Sequence, residues 1–134
     1  MDLILSLACE FARVRPDGRL DVRGAFNELQ AAGFPAAQDR MTVVFVMGWG
    51  PAEHGRHAFT ADLVGDDDRK VLTIEGHTDV EPGPEAEGRA PPQTRLVMEL
   101  ERVVFPRPGR YRFILRIGSD TREAFALHVS KASE

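Results

Sequence analysis

Only one cysteine, Cys9, occurs among the 134 residues of the chain. A single cysteine excludes an intramolecular disulfide and a zinc site built on several cysteines, and it fits a reducing compartment such as the cytoplasm. The apolar run from Leu3 to Cys9 is short and follows Asp2 rather than a basic residue. We therefore predict neither a secretion signal nor a membrane-spanning segment.

The chain also lacks an excess of positive charge. Its formal net charge is −4, and acidic and basic residues are mixed along the sequence. A protein of this kind has no long-range positive field that would attract nucleic acid, so no nucleic-acid partner is predicted.

Motifs tied to a particular chemistry are missing as well. The sequence has no Gly-x-Ser-x-Gly turn for a nucleophilic serine, and no glycine-rich loop leads from a strand into a helix to hold a phosphate. Cys9 has no histidine nearby in the sequence, and the pattern around it predicts a buried side chain. The sequence therefore indicates no cofactor and favours a non-enzymatic protein over an enzyme.

What the chain does contain is apolar residues that recur with a period of two, as in β-strands. Five apolar residues of the first segment fall on one face of such a strand: Leu3, Leu5, Leu7, Cys9 and Phe11. The turn sequence RPDGR follows at residues 15–19, and alternation resumes at residues 20–26. This arrangement predicts a first hairpin.

The middle of the chain contains further strand patterns. Residues 27–40 are interrupted by Gly33 and Pro35, so they predict an irregular loop with at most one helical turn. The largely apolar segment from Met41 to Trp49 predicts a central strand covered on both faces. Residues 57–77 alternate on both sides of the polar turn GDDDRK, which predicts a second hairpin.

The segment from Asp79 to Pro92 contains four prolines, two glycines and four acidic residues, which predicts a mobile surface loop. After it, the apolar positions of residues 96–100 are out of phase with Val103 and Phe105 by one residue. A shift of this kind predicts a bulge or a change of sheet near Arg102. Two final strands are predicted on either side of the turn sequence GSDTRE.

Eight short strands without a convincing helix predict an antiparallel, two-sheet β-sandwich of about seven to nine strands, immunoglobulin-like or related. An eight-stranded β-barrel is the alternative. Pro108 and Gly109 precede Tyr111, and this order favours the sandwich, because a tyrosine that enters a strand after a turn buries its ring and bonds its hydroxyl to the turn backbone. We expect one domain over residues 1–134.

Three stretches carry a resemblance to a known family: LILSLACEFARVRPDGRLDVRGAFNEL, GFP followed by an arginine, and VVFPRPGRYRF. They resemble a family of small uncharacterised bacterial proteins classed as a domain of unknown function. The resemblance covers nearly the whole chain. It implies a compact β-sandwich of bacterial origin, and it implies no activity or catalytic residue.

Three histidines are candidate metal ligands: His54, His57 and His77. If their strands are neighbours, three imidazoles can bind zinc with a water in the fourth position. The HGRH spacing spans a turn and encodes no fixed ligand geometry, so surface histidines are the interpretation that we favour.

Basic residues form the best candidate binding surface. Three arginines project from one face of the predicted strand after Gly109: Arg110, Arg112 and Arg116. Such a row suits a carboxylate-rich partner or a phosphate. The alternative, which we favour, is a solvated sheet face on which acidic residues of neighbouring strands pair with the arginines. Three glutamates are the expected partners: Glu99, Glu101 and Glu123.

Two functions are compatible with these patterns. We predict a non-enzymatic, cytoplasmic module that acts through a protein partner or through self-association, because a complete scaffold of strands has edges available for pairing. The alternative is a small-ligand-binding or metal-binding protein, with or without enzymatic activity, whose pocket lies at one end of the sandwich near the histidines and Trp49. Trp49 stands in a turn rich in glycine and proline, where it is a candidate for a partly exposed aromatic anchor. The alternative is that it belongs to the core, as most tryptophans near a core do.

Overall fold

The computed structural model describes residues 1–83 and 87–133, and β-strands are the regular elements of this part of the chain. The nine strands are β1 (Asp2–Val14), β2 (Leu20–Phe26), β3 (Glu28–Ala31), β4 (Ala36–Gly48), β5 (Gly55–Val64), β6 (Lys70–Val80), β7 (Gln93–Phe105), β8 (Gly109–Ile117) and β9 (Asp120–Lys131). The predicted all-β class is confirmed. The described residues include no helix that is long and apolar enough to span a membrane.

The strands form two sheets, as predicted, rather than one closed barrel. A four-stranded sheet has the order β2-β1-β4-β7, and a five-stranded sheet has the order β3-β9-β8-β5-β6. All pairs of the four-stranded sheet are antiparallel, but β3 runs parallel to β9, so the prediction of wholly antiparallel sheets is wrong at this edge.

Strand β3 lies in the segment that was predicted to be an irregular loop. Its four residues pair with β9, and the backbone nitrogen of His128 donates to the carbonyl of Asn27 over 2.7 Å. A strand this short has too few alternating positions to be visible in the sequence. Its existence depends on β9, which lies about a hundred residues away along the chain.

Both predicted hairpins are present. Strands β1 and β2 are joined by the RPDGR turn, in which Gly18 has a φ of 84° that a glycine adopts without strain. Strands β5 and β6 pair from Gly55 opposite Val80 to Val64 opposite Lys70. The GDDDRK sequence forms the turn between them, where the nitrogen of Asp68 donates to the carbonyl of Gly65 over 3.0 Å.

The two sheets share one apolar core. Alternate residues of β4, from Met41 to Met47, meet the buried residues of β8 in this core. The rings of Phe45 and Phe113 are in an edge contact with 6.2 Å between centroids, and Phe125 of β9 contacts both rings. From Met41 onward, strand β4 is buried on both faces, as predicted for a central strand.

Strand β1 changes the face that it buries, which the sequence prediction missed. A bulge between Leu3 and Leu5 shifts the register with β4, so Leu3 and Ala8 face the shared core while Cys9 is buried on the opposite side of the sheet. Phe11, predicted to lie on the buried face, is 43% exposed. A local bulge reverses every following side chain, and alternation alone does not locate it.

The phase shift in β7 occurs at the predicted residue. Arg102 has a left-handed backbone with a φ of 52°, and the buried positions of β7 change from even to odd numbers beyond it. The pairing with β4 keeps one register, with Arg40 opposite Glu101 and Gln38 opposite Val103. Strand β7 therefore stays in its sheet and has no net bulge, because β4 changes face at the same point.

The turn before β8 is held by Tyr111. Its hydroxyl donates to the carbonyl of Arg107 over 2.5 Å and accepts from the nitrogen of Arg107 over 3.3 Å, while its ring packs edge-on against Phe105. Pro108 and Gly109 complete the turn. A Cβ atom at Gly109 would lie 2.6 Å from a carboxylate oxygen of Asp66, so the close approach requires glycine.

Replacing Tyr111 with phenylalanine should lower the free energy of unfolding by about 1 kcal/mol, because the hydroxyl bonds to the turn backbone are lost while the ring is kept. Urea denaturation of both proteins measures the difference. Arg107→Ala is the control, since it keeps the carbonyl that accepts the bond and removes an exposed ion pair worth less than about 1 kcal/mol. Equal stability of Tyr111→Phe and the wild type would contradict a stabilising role for this contact.

Candidate functional site

The arginine row lies on the outer face of the five-stranded sheet, and each member has an acidic partner in the chain. The row forms three ion pairs: Arg110 with Glu123 at 2.8 Å, Arg112 with Asp68 at 3.1 Å, and Arg116 with Asp62 at 2.6 Å. Two of the expected partners, Glu99 and Glu101, lie on β7 in the other sheet and do not pair with the row. The acidic partners of the row therefore come from the five-stranded sheet and from the turn between β5 and β6.

Asp62 is the centre of this charged face. The residue is 2% exposed although it points outward, because the side chains around it cover its carboxylate. Its oxygens accept a hydrogen bond of 2.7 Å from the hydroxyl of Thr73 and contact Arg116, and Lys70 is 3.5 Å away. Burial raises the pKa of Asp62, but the Thr73 hydroxyl and the two cations lower it by more, so the net pKa lies below the usual value.

The acidic turn between β5 and β6 contacts the β7–β8 turn. Asp66 accepts from the nitrogen of Arg110 over 3.1 Å, and Asp67 forms an ion pair with Arg107. The pKa of Asp67 is lowered, first by the backbone nitrogen of Arg69 that donates to its carboxylate and then by Arg107. These acidic residues hold the two turns together, and this contact explains the acidic turn without a bound ligand.

The structure does not bring the three candidate metal ligands together. His57 is opposite Thr78 and His77 is opposite Ala58, so the two histidines lie on opposite faces of the β5–β6 hairpin. The ring of His57 stacks on Trp49 at 4.6 Å, and its Nε2 is 2.6 Å from the carbonyl of Glu53. Across residues 1–83 and 87–133, no three histidine, cysteine, aspartate or glutamate side chains are grouped to hold a metal ion.

Trp49 is 2% exposed, so of its two interpretations the core residue holds and the partly exposed aromatic does not. Its indole Nε1 donates to the hydroxyl of Thr94 over 2.8 Å, and its backbone nitrogen donates to the carbonyl of Pro92 over 3.0 Å. The glycines and prolines around it suggested exposure, but they allow the chain to turn while the ring remains in the core.

A cavity of about 700 Å³ opens at this end of the molecule. Its walls include Trp49, His54, Ile4 and Arg95, together with described parts of the segment between β6 and β7. In the segment predicted to be a loop, Asp79 and Val80 belong to β6, and no strand is assigned in the described parts from Glu81 to Pro92. Residues 84–86 of that predicted loop lie outside the described residues.

The outer side of the four-stranded sheet is an apolar surface that the sequence interpretation did not identify. Residues opposite one another on neighbouring strands lie on one face, and three rows of them cross β1, β4 and β7. The rows are Leu5, Val46 and Arg95; Leu7, Val44 and Val97; and Cys9, Thr42 and Glu99. We call this surface, defined by these nine residues, the apolar face.

Some side chains of the apolar face are buried and form its floor, while others are exposed at the surface. Val44 and Val46 are buried with Cys9, while Leu5 is 39% exposed and Leu7 and Val97 are partly exposed. Burial raises the pKa of the Cys9 thiol, which disfavours the reactive thiolate. The partly buried residues packed on this floor all belong to the four-stranded sheet, so the described chain supplies no second layer over it.

Comparison with known proteins identifies a family for the chain but does not assign it an activity. Residues 4–130 of the chain match a protein family of unknown function, DUF6941. No significant match was found among curated proteins or solved structures.

Proposed function

Because the chain belongs to a family of unknown function that assigns it no activity, we propose from its surfaces that it is a non-enzymatic module acting through protein contacts on the apolar face. The proposal covers residues 1–134 as a single domain. It also includes a cytoplasmic location and a bacterial origin, for which the support is the single, buried cysteine and the sequence resemblance.

The observation that carries the proposal is the contrast between the two outer faces. On the five-stranded sheet, Arg110, Arg112 and Arg116 are neutralised by acids of the same chain. On the four-stranded sheet, Leu5 is exposed beside a floor of buried valines. Contiguous apolar surface rimmed by polar residues marks interaction sites in proteins that otherwise keep such surface covered.

The test compares one substitution on each outer face. Leu5→Glu places a charge on the apolar face, and Thr121→Glu places the same charge on the exposed outer surface of the five-stranded sheet. Complex formation is measured by light scattering of the purified protein and by capture from native lysate with mass spectrometry. We expect complexes of the wild type to persist in Thr121→Glu and to be lost in Leu5→Glu. A strict monomer that captures nothing, or capture that is unchanged by Leu5→Glu, would overturn the proposal.

We also propose that the two sheets form a sandwich related to the immunoglobulin type. The support is the core shared by both sheets and the contact between Tyr111 and the backbone of Arg107. The parallel pair of β3 and β9 departs from the usual antiparallel arrangement of that fold.

The cavity beside Trp49 favours a second candidate function, the binding of a small molecule. Its volume lies in the range of ligand pockets, and two arginines, Arg89 and Arg95, line it together with His54. This composition suits an anionic ligand with an apolar part. A thermal-shift screen of small carboxylates and phosphates tests it, with Arg89→Ala as the matched variant. The absence of any shift across the screen would remove this candidate.

A further inference from the structure

We propose that the apolar face binds a second copy of the same chain, in a two-fold dimer whose axis runs along the row of Leu7, Val44 and Val97. This inference rests on the proposed function, because it names the partner of the same surface. The two copies would pack sheet against sheet, so that the half-exposed leucines and Val97 become buried.

The arrangement of charges on the apolar face leads to this choice of partner. Arg95 and Glu99 lie on the same side of β7, two residues before and two residues after Val97. A two-fold axis through the row of Val97 exchanges the flanking rows, because such an axis reverses the direction of the strand in the second copy. Arg95 of one copy then faces Glu99 of the other, and the symmetry makes this contact twice.

The apolar rows are compatible with the same axis. The central row places Leu7, Val44 and Val97 against their own equivalents, so only apolar side chains meet there. The row that contains Leu5 and Val46 meets the row that contains Cys9 and Thr42. No like charges oppose each other in this arrangement, and the buried hydroxyl of Thr42 is the single uncharged polar side chain on the nine-residue face.

Arg95 and Glu99 also differ from the charged residues of the other sheet in their contacts. Within the part of the chain that the structure describes, neither side chain has an ion-pair partner within 4.0 Å, and Arg95 contacts the neutral amide of Gln93 at 3.1 Å. The arginines of β8 are all paired within the chain. The one exposed cation and the one exposed anion on the apolar face are therefore placed to pair across a dimer.

The size of the face sets the expected strength of the dimer. The nine residues lie on three strands, so at a spacing of about 4.8 Å the face is roughly 15 Å wide, and a similar length gives an interface below the standard size of stable protein contacts. Interfaces of this size are weak or transient. We therefore expect a monomer–dimer equilibrium with a dissociation constant in the micromolar range, which makes concentration-dependent measurements necessary.

A charge-swap experiment on the full chain tests the inference. Sedimentation velocity is measured at protein concentrations from about 1 µM to about 1 mM, the range that brackets a micromolar equilibrium. Arg95→Glu and Glu99→Arg should each raise the dissociation constant by about tenfold or more, because each brings like charges together twice. The double variant Arg95→Glu with Glu99→Arg should recover the dissociation constant to within about threefold of the wild type, since the pairs are only exchanged. Arg110→Glu, on the other sheet, is the control and should leave the dissociation constant unchanged.

A substitution on β1 separates this dimer from one in which two β7 strands pair edge to edge, because edge pairing also places Arg95 opposite Glu99. Leu5→Glu should raise the dissociation constant by about tenfold in the proposed dimer, where β1 lies in the interface, and should have no effect on an edge-paired dimer. A dimer that responds to the charge variants and not to Leu5→Glu would overturn the face-to-face arrangement. Circular dichroism of each variant confirms that it is folded.

The remaining outcomes are also decisive. A wild type that stays monomeric up to the highest concentration, or a double variant that does not recover, would overturn the homodimer. If the monomeric wild type still captures another protein and loses it in Leu5→Glu, the homodimer is wrong and the proposed function stands. If nothing binds in either experiment, both are wrong.

Discussion

Replacing Phe45 with alanine should lower the free energy of unfolding by about 3 to 5 kcal/mol, the largest effect that we expect from a single substitution in this chain. Phe45 is 0% exposed and lies on β4, one of the two inner strands of the four-stranded sheet. Its ring contacts Phe113 and Phe125 of the other sheet, with 6.2 Å between centroids in each case. The substitution removes apolar contact between the sheets and leaves a cavity that rigid strands cannot fill.

Denaturation in urea measures this effect, and Phe11→Ala is the matched control. Phe11 is also a phenylalanine on a strand, but 43% of its surface is exposed, so its truncation should cost less than about 1 kcal/mol. If both variants lose the same free energy of unfolding, Phe45 does not hold the sheets together and the shared core is misplaced. A loss confined to Phe45→Ala supports the core as described.

The position of Phe45 could be predicted from the sequence, and so could most strands. The run from Met41 to Trp49 is apolar at every position but Thr42 and Gly48, and its β-branched and aromatic residues favour a strand covered on both faces. The ring of Tyr111 was likewise placed in the core, from its position at the start of a strand after Pro108 and Gly109, and it is buried. These features are local, because a period of two depends on residues that are neighbours in the chain.

The features that were missed depend on partners far away in the sequence. Strand β3 exists because it pairs with β9, and the partners of the arginine row could not be chosen without the order of strands in the sheets. Glu99 and Glu101 were assigned to β8 as neighbours, whereas the acids actually used include Asp62 and Asp68 of the β5–β6 hairpin. Alternation marks which side chains share a face but does not say which strand lies alongside.

The apolar face was missed for a related reason, although the sequence contains a signal for it. The prediction that β4 is covered on both faces requires apolar neighbours on its second side, and Leu5, Leu7 and Cys9 already formed an alternating set. They were assigned to the shared core, because the bulge after Leu3 that turns them to the other side is not visible in the pattern. In a protein whose described residues form no helix, an apolar strand with two buried faces therefore indicates that the outer side of its sheet carries an apolar surface.

Replacing Asp62 with alanine should lower the free energy of unfolding by about 2 kcal/mol near pH 7, because hydrogen bonds to a charged group are stronger than those between neutral groups. The substitution removes the acceptor of the Thr73 hydroxyl and the partner of Arg116 and Lys70. Both cations are about half exposed or more and regain water, which keeps the loss below that of a fully buried pair. Asp79→Ala is the control, since it removes an ion pair with Arg56 that is exposed on both sides.

The same pair of proteins gives a pH signature, because the net pKa of Asp62 is lowered in the folded state. A carboxyl group with a lowered folded pKa stabilises the protein above its unfolded pKa of about 3.9, and this contribution is lost as the pH falls through the folded value. The difference in unfolding free energy between the wild type and Asp62→Ala should thus be constant from about pH 5 to about pH 7, where the carboxyl group is ionised in both the folded and the unfolded state. The difference should shrink below about pH 4. Other acids, including Asp67, also lose stabilising contacts in acid, so the difference between the two proteins is the informative quantity. A difference that stays constant down to about pH 2 would show that the carboxylate charge contributes nothing and that only the lost packing matters.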